Sequence, residues 1–150
     1  MKIKYRKFKK TDDKVVAKLI QNLYQEDPDG KAISPAKIKN TFGSLTKHPD
    51  RGTVLVFEHK KEIIGYAILI NFWSNEFGGN IVDIDELYIK KEFRSQGIGT
   101  NFVRYLVKGK VGRPVALRLE VTPSNTRARK LYKSLGFELH KNNTLILEIK

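Results

Sequence analysis

The sequence contains no cysteine, an absence that removes disulfides, thiolate metal sites and a cysteine nucleophile together. Its three histidines, His48, His59 and His140, show no H-x-x-x-H or H-x-H spacing, so no metal centre is expected. No apolar run approaches the roughly 18 residues of a membrane span. The longest, residues 63–70, is interrupted by Gly65, so no membrane partner is expected. The first eight residues are charged and lack the apolar segment of a signal peptide. Repeats, low-complexity tracts and Pro/Ser-rich linkers are missing too, and residues 1–150 are read as a single domain. Acid is scarce: 16 Asp and Glu stand against 29 Lys and Arg, a formal net charge of +13. The imbalance is concentrated in residues 93–150, which hold 12 basic and 3 acidic residues, against 17 and 13 in residues 1–92. A basic half suits a polyanion, either nucleic acid or a phosphate-bearing cofactor, and equally a solubilising lysine-rich surface. With 40% hydrophobic and 10% aromatic residues the chain is too apolar for disorder, and a soluble cytoplasmic domain is expected.

What is present reads as alternating helix and strand. Residues 3–8 suggest an edge strand. Thr11-Asp12-Asp13 reads as an N-cap with acids in the first turn of a helix, with Val15, Val16, Leu19, Ile20 and Leu23 at helical spacing to about Tyr24. Ser34 followed by Pro35 opens a second helix through about Phe42. The period then changes: residues 53–57 and 63–72 form a hairpin, and Gly78, Gly79 and Asn80 turn the chain into a strand over 81–89. A helix from about Gly97 to Lys108, a strand over 115–121, a helix over 125–135 and closing strands over 137–139 and 145–149 complete an α/β fold. Its sheet is mixed, mostly antiparallel and flanked by helices.

The informative stretch is residues 81–99. Apolar side chains fall at Val82 and Ile84, then at Leu87 and Ile89, so the two-residue period of a strand slips by one between Ile84 and Leu87. A β-bulge near Asp85 and Glu86 explains the slip, and bulges re-aim side chains beside active sites. A strand buried on both faces is the alternative. The polar loop Arg94-Ser95-Gln96-Gly97-Ile98-Gly99-Thr100 then runs into a helix. Glycine permits close backbone approach, helix-start N–H groups attract anions, and Arg94 suits phosphate. The loop lacks the lysine of a Walker A motif and the third glycine of a Rossmann fingerprint.

Glu86-Leu87-Tyr88-Ile89-Lys90-Lys91-Glu92-Phe93-Arg94-Ser95-Gln96-Gly97-Ile98-Gly99 resembles the acetyl-CoA signature of the GNAT superfamily of N-acetyltransferases, Q/R-x-x-G-x-G/A after a strand. Further on, Asn125, Ala128, Tyr132, Gly136 and Phe137 resemble its second hallmark, a strand, an Asn and a helix ending Y-x-x-x-G-F. The two motifs stand in the right order and spacing, the resemblance covers nearly the whole chain, and the arrangement is most similar to the diamine acetyltransferase branch.

The resemblance implies a splayed central strand pair and acetyl-CoA as co-substrate, with no metal. Backbone groups of Leu87, Tyr88 and Ile89 would pair with the pantetheine amides, and residues 94–100 would hold the pyrophosphate. Asn125 would reach the pantetheine arm, with helix capping as its other reading. Arg127, Arg129 and Lys130 would meet the 3′-phosphate, or are solvated helix charges. Tyr132 corresponds to the acid that protonates the departing thiolate; packing in a core is the alternative. An amine of pKa ~10.4 is unprotonated in only about one molecule in a few thousand at pH 7, so a base helps. Asp83, Asp85 and Glu86 supply carboxylates, with Asp85 at the position where the diamine branch carries one and Glu86, at the bulge, as the alternative that turns inward, unless all three simply pair with surface lysines. Asp27 and Asp29, after the first helix, would bind a cationic small-molecule or peptide amine, although the overall +13 opposes attracting polyamines from a distance. A homodimer is compatible with this reading. The rival reading is an inactive, basic acetyltransferase-like domain that binds RNA or a protein.

Overall fold

The computed structural model describes residues 1–27 and 30–150, which divide into two compact units, Met1–Glu120 and Val121–Lys150. The first holds one five-stranded sheet in the order β1 (Lys4–Lys7), β2 (Gly52–His59), β3 (Glu62–Ser74), β4 (Gly79–Ile89) and β5 (Ala116–Arg118). Neighbours run antiparallel except β4 and β5, which are parallel.

One face of the sheet is covered by α1 (Asp13–Glu26) and α2 (Pro35–Lys47). The 3.6-residue period of α1 places Val16, Leu19 and Ile20 against Val54, Val56, Tyr66, Ile68 and Tyr88. Burying each of those three aliphatic side chains contributes roughly 1.5–3 kcal/mol. Side chains alternate along β2, so Phe57 points to the other face and meets Phe102 of α3 (Ile98–Val107), ring centres 4.7 Å apart. Among the described residues no helix is long and apolar enough to cross a membrane.

Local chemistry explains most element ends. Ser34 Oγ accepts the Lys37 N–H at 3.3 Å with Pro35 at the first helical position. The second helix runs five residues past Phe42, to Lys47, and its extra turn brings Leu45 into the core. Before α1, the expected cap is replaced by a short 3-10 turn, Lys10–Asp12. The Asp12 carboxylate turns back to accept the Lys9 N–H at 2.7 Å and both Arg6 guanidinium nitrogens at 2.8 and 3.0 Å.

In the second unit, α4 (Thr126–Ser134) starts at Asn125, whose Oδ1 accepts the Ala128 N–H at 3.1 Å. It closes with the Phe137 N–H donating to the Tyr132 carbonyl at 3.0 Å. The closing strands expected over 137–139 and 145–149 are not formed. Leu145, Ile146, Leu147 and Ile149 carry an apolar strand-like pattern but are more than 80% exposed. A strand exists only through its partner, and an isolated pair is marginal.

Candidate active site

The bulge expected near Asp85 and Glu86 is present. Ile68 pairs with Glu86 and Leu69 with Ile84, so Asp85 is the extra residue of β4 without a partner on β3. On its other side β4 meets β5 only from Ile81 opposite Ala116 to Asp83 opposite Arg118. Beyond that, no described strand lies along β4. The Lys90 N–H donates to the Ile64 carbonyl at 2.9 Å. Peptide groups alternate sides along a strand, so those of Leu87 and Ile89 point to the open edge while those of Tyr88 face β3.

The three carboxylates of the bulge have different surroundings. Asp83 accepts from Arg118 Nε at 3.3 Å, and that guanidinium lies 5.2 Å from the Phe72 ring centre. Loss of hydration nevertheless raises the Asp83 pKa, with Arg118 opposing. Asp85 is exposed as a residue, yet desolvation about its carboxyl, then the charges of Asp83 and Glu120, raise its pKa. Glu86 is half-buried. Its Oε1 accepts the Tyr66 hydroxyl at 2.7 Å and its Oε2 the Tyr24 hydroxyl at 2.8 Å. Burial pushes the Glu86 pKa up and the two phenols pull it back.

After β4 a 3-10 turn, Lys91–Phe93, leads into the loop. Ser95 and Gly97 both adopt left-handed backbone, at φ +63° and +80°. Gly97 occupies the cap position of α3, where a β-carbon would meet nothing within 4 Å. With no capping side chain, the N–H groups of Ile98, Gly99 and Thr100 lack an intrahelical acceptor. This bare helix start and the open β4 edge fit a ligand carrying amides at one end and an anion further along. Gln96 reaches back to the Glu92 carbonyl at 3.3 Å. Arg94 is not simply presented to an anion: it donates through Nε to the Ile89 carbonyl at 2.7 Å and through Nη2 to Glu26.

The structure thus brings Asp85, Glu86, Leu87, Tyr88 and Ile89 and the loop from Arg94 to Thr100 into one continuous segment. Asp27 follows the end of α1, and Asp29 lies outside the described residues. Asn125, Arg129 and Tyr132 belong to the second unit. There Arg129 donates to the Pro123 carbonyl at 3.5 Å, and half-buried Tyr132 meets the Phe137 ring edge-on at 5.5 Å. Burial raises the Tyr132 pKa, so its phenol keeps its proton through the neutral range.

Sequence reasoning missed Tyr24, Tyr66 and Glu26. A signal existed for Tyr66: a tyrosine inside the apolar run of β3 needs a partner for its hydroxyl.

A mostly antiparallel sheet that opens after a bulged strand, followed by a glycine-led helix start, defines an α/β class built to hold an extended, anion-bearing ligand. The chain belongs to the GNAT acetyltransferase family, whose model matches residues 17–137. It is 35% identical over 75 residues to the thialysine N-epsilon-acetyltransferase of Bos taurus, a match covering 49% of this chain and 44% of that protein. The chain therefore matches less than half the length of that relative. Among solved structures, a possible acetyltransferase from Clostridium difficile 630 superposes with a TM-score of 0.84 at 25% identity, covering 99% and 98% of the two chains. An aminoglycoside N-acetyltransferase solved in complex with CoA shares the fold, with a TM-score of 0.74 at 17% identity over 98% and 95% of the chains.

Proposed function

We propose that the chain is an acetyl-CoA-dependent N-acetyltransferase whose acceptor, a primary amine, attacks directly within a ternary complex. The observation that carries this reading is the open edge at Leu87 and Ile89 continuing, within one segment, into the uncapped start of α3. The family model spans both compact units, which supports residues 1–150 working as one acetyltransferase domain.

Acetyl-CoA, when bound, supplies the thioester that the amine attacks and the thiolate that leaves. Leu87 and Ile89 hold the pantetheine amides as an added strand would, beside Tyr88. The N–H groups of Ile98, Gly99 and Thr100 hold the pyrophosphate, on a loop shaped by Arg94, Ser95, Gln96 and Gly97. Asn125 serves the pantetheine arm and Arg129 the 3′-phosphate. Asp85 takes the proton of the amine: it is exposed at the bulge, whereas both oxygens of Glu86 already accept phenol hydroxyls. A raised carboxylate pKa brings such a base closer to the neutral range. Tyr132, kept protonated by burial, donates to the leaving thiolate. No acyl-enzyme is needed, since direct transfer requires only positioning, a base and an acid.

For the acceptor we propose a short aminoalkyl compound of the kind in the name of the relative, thialysine, with Asp27 at its cationic end. An amine panel spanning amino acids, diamines, polyamines and peptide N-termini, read as free CoA thiol, tests the proposal. Acetyl-CoA at 100 times its Kd stabilises the protein by about 2.7 kcal/mol. No thiol release and no stabilisation at millimolar acetyl-CoA, with salt-sensitive RNA binding instead, overturn it in favour of a non-catalytic basic domain.

A further inference from the structure

Glu86 sits where three elements converge. The residue follows the bulged Asp85, and its two carboxylate oxygens are taken by phenols from different elements, Tyr66 of β3 at 2.7 Å and Tyr24 of α1 at 2.8 Å. Neither oxygen can swing toward the open edge without breaking one of these bonds. The two phenols differ in freedom. Tyr66 is fully buried and belongs to the ladder that pairs β3 with β4. Tyr24 arrives from the last turn of α1, three residues before Asp27.

We propose that Tyr24 is a positioning residue of the acetyl-transfer reaction: from α1 it locks the Glu86 carboxylate against Tyr66 and thereby fixes the bulge that presents Asp85. The proposal rests on the acetyltransferase reading and adds to it a hold exerted by a helix that contributes no group to the reacting atoms. The groups that act on Glu86 are Tyr24 from α1, Tyr66 from β3 and, on its own strand, Asp85. A phenol hydrogen bond favours the ionised carboxylate, while burial and the Asp85 charge oppose it. Deleting the Tyr24 hydroxyl therefore leaves Glu86 ionised only at higher pH.

The full-length chain and its Tyr24→Phe, Glu86→Gln and doubly substituted variants test this. Phe retains the ring, so the variant keeps the packing of Tyr24 and loses only the hydroxyl. With the best amine of the panel, Tyr24→Phe lowers kcat about tenfold and leaves the KM for acetyl-CoA within about twofold. The titration midpoint of the Glu86 carboxyl, followed by carbon NMR, moves to higher pH. In the Glu86→Gln background, adding Tyr24→Phe changes kcat by less than about twofold, because the bond is already altered. An equal cost of Tyr24→Phe in both backgrounds, or an unmoved Glu86 midpoint, overturns the proposal. The midpoint needs no turnover. A wild-type chain that acetylates no amine defeats the acetyltransferase reading, whereas an unmoved midpoint defeats the role of Tyr24 whatever the turnover.

Discussion

Arg94 and Glu26, 68 residues apart in sequence, form an ion pair in which one guanidinium nitrogen lies 3.0 and 2.9 Å from the two carboxylate oxygens. The same guanidinium donates to the Ile89 carbonyl at 2.7 Å and sits 5.1 Å from the Tyr88 ring centre. Arg94 therefore ties the end of α1 to the exit of β4.

Both side chains are about one-third exposed, at 35% and 31%, so solvent screens the pair. Glu26→Ala is expected to cost about 0.5–1 kcal/mol. Arg94→Ala is expected to cost about 1–2 kcal/mol, since it also removes the carbonyl bond and the ring contact. Urea unfolding measures both, and the Glu26 effect shrinks in 1 M salt as screening shortens to about 3 Å. Equal loss from the two substitutions would mean that the Ile89 carbonyl bond adds nothing.

A second ion pair sets the acid response. Asp12, with a side chain only 8% exposed, accepts two Arg6 bonds and the Lys9 N–H, while Arg6 also pairs with Glu58. The Arg6 hydrogen bond foremost holds the Asp12 pKa below its usual value, against burial. A depressed folded pKa contributes stability that is present above the unfolded carboxyl value near pH 4 and is lost as pH falls through the folded one. Asp12→Asn should cost about 2–3 kcal/mol at pH 7 and progressively less below pH 4. Thermal melts across pH check this, and a pH-independent cost would contradict it.

Gly97 carries the third prediction. At φ +80° an L side chain costs roughly 1–2 kcal/mol, while the open space beside it means no clash adds to that. Gly97→Asn should keep most of the stability and Gly97→Val should lose more, because Asn tolerates left-handed backbone. Both should weaken acetyl-CoA binding in calorimetry, since the added side chain fills open space that the proposed pyrophosphate site needs. Unchanged affinity in a folded Gly97→Val variant would remove this loop from the site.

Much of what depends on local pattern was legible in the sequence, although the cap expected before α1 gave way to a 3-10 turn. One slipped period between Ile84 and Leu87 located the bulge, and Ser34 and Asn125 cap their helices by chemistry visible three residues away. Partners distant in sequence were not legible. Tyr24 and Glu86 lie 62 residues apart, and no periodicity links Glu26 to Arg94. The closing strands failed for a related reason. The apolar run over 145–149 has the composition of a strand, but pairing requires a partner strand, which local pattern does not encode.

Tyr132→Phe keeps the ring that meets Phe137 and deletes only the hydroxyl. Loss of a positioned acid lowers kcat by about 10²–10⁴-fold, with acetyl-CoA affinity and melting temperature nearly unchanged. Steady-state rates beside a binding titration separate the two effects. Near-full turnover would assign the proton donation elsewhere.

In the proposed reaction the acetyl group passes directly from CoA to an amine. Initial rates with the best amine and acetyl-CoA, both varied, test it most directly when the acetyl group carries an isotopic label. Direct transfer gives double-reciprocal lines that intersect, label on the amine, and none on the protein when amine is omitted. Parallel lines with label on the protein would contradict it.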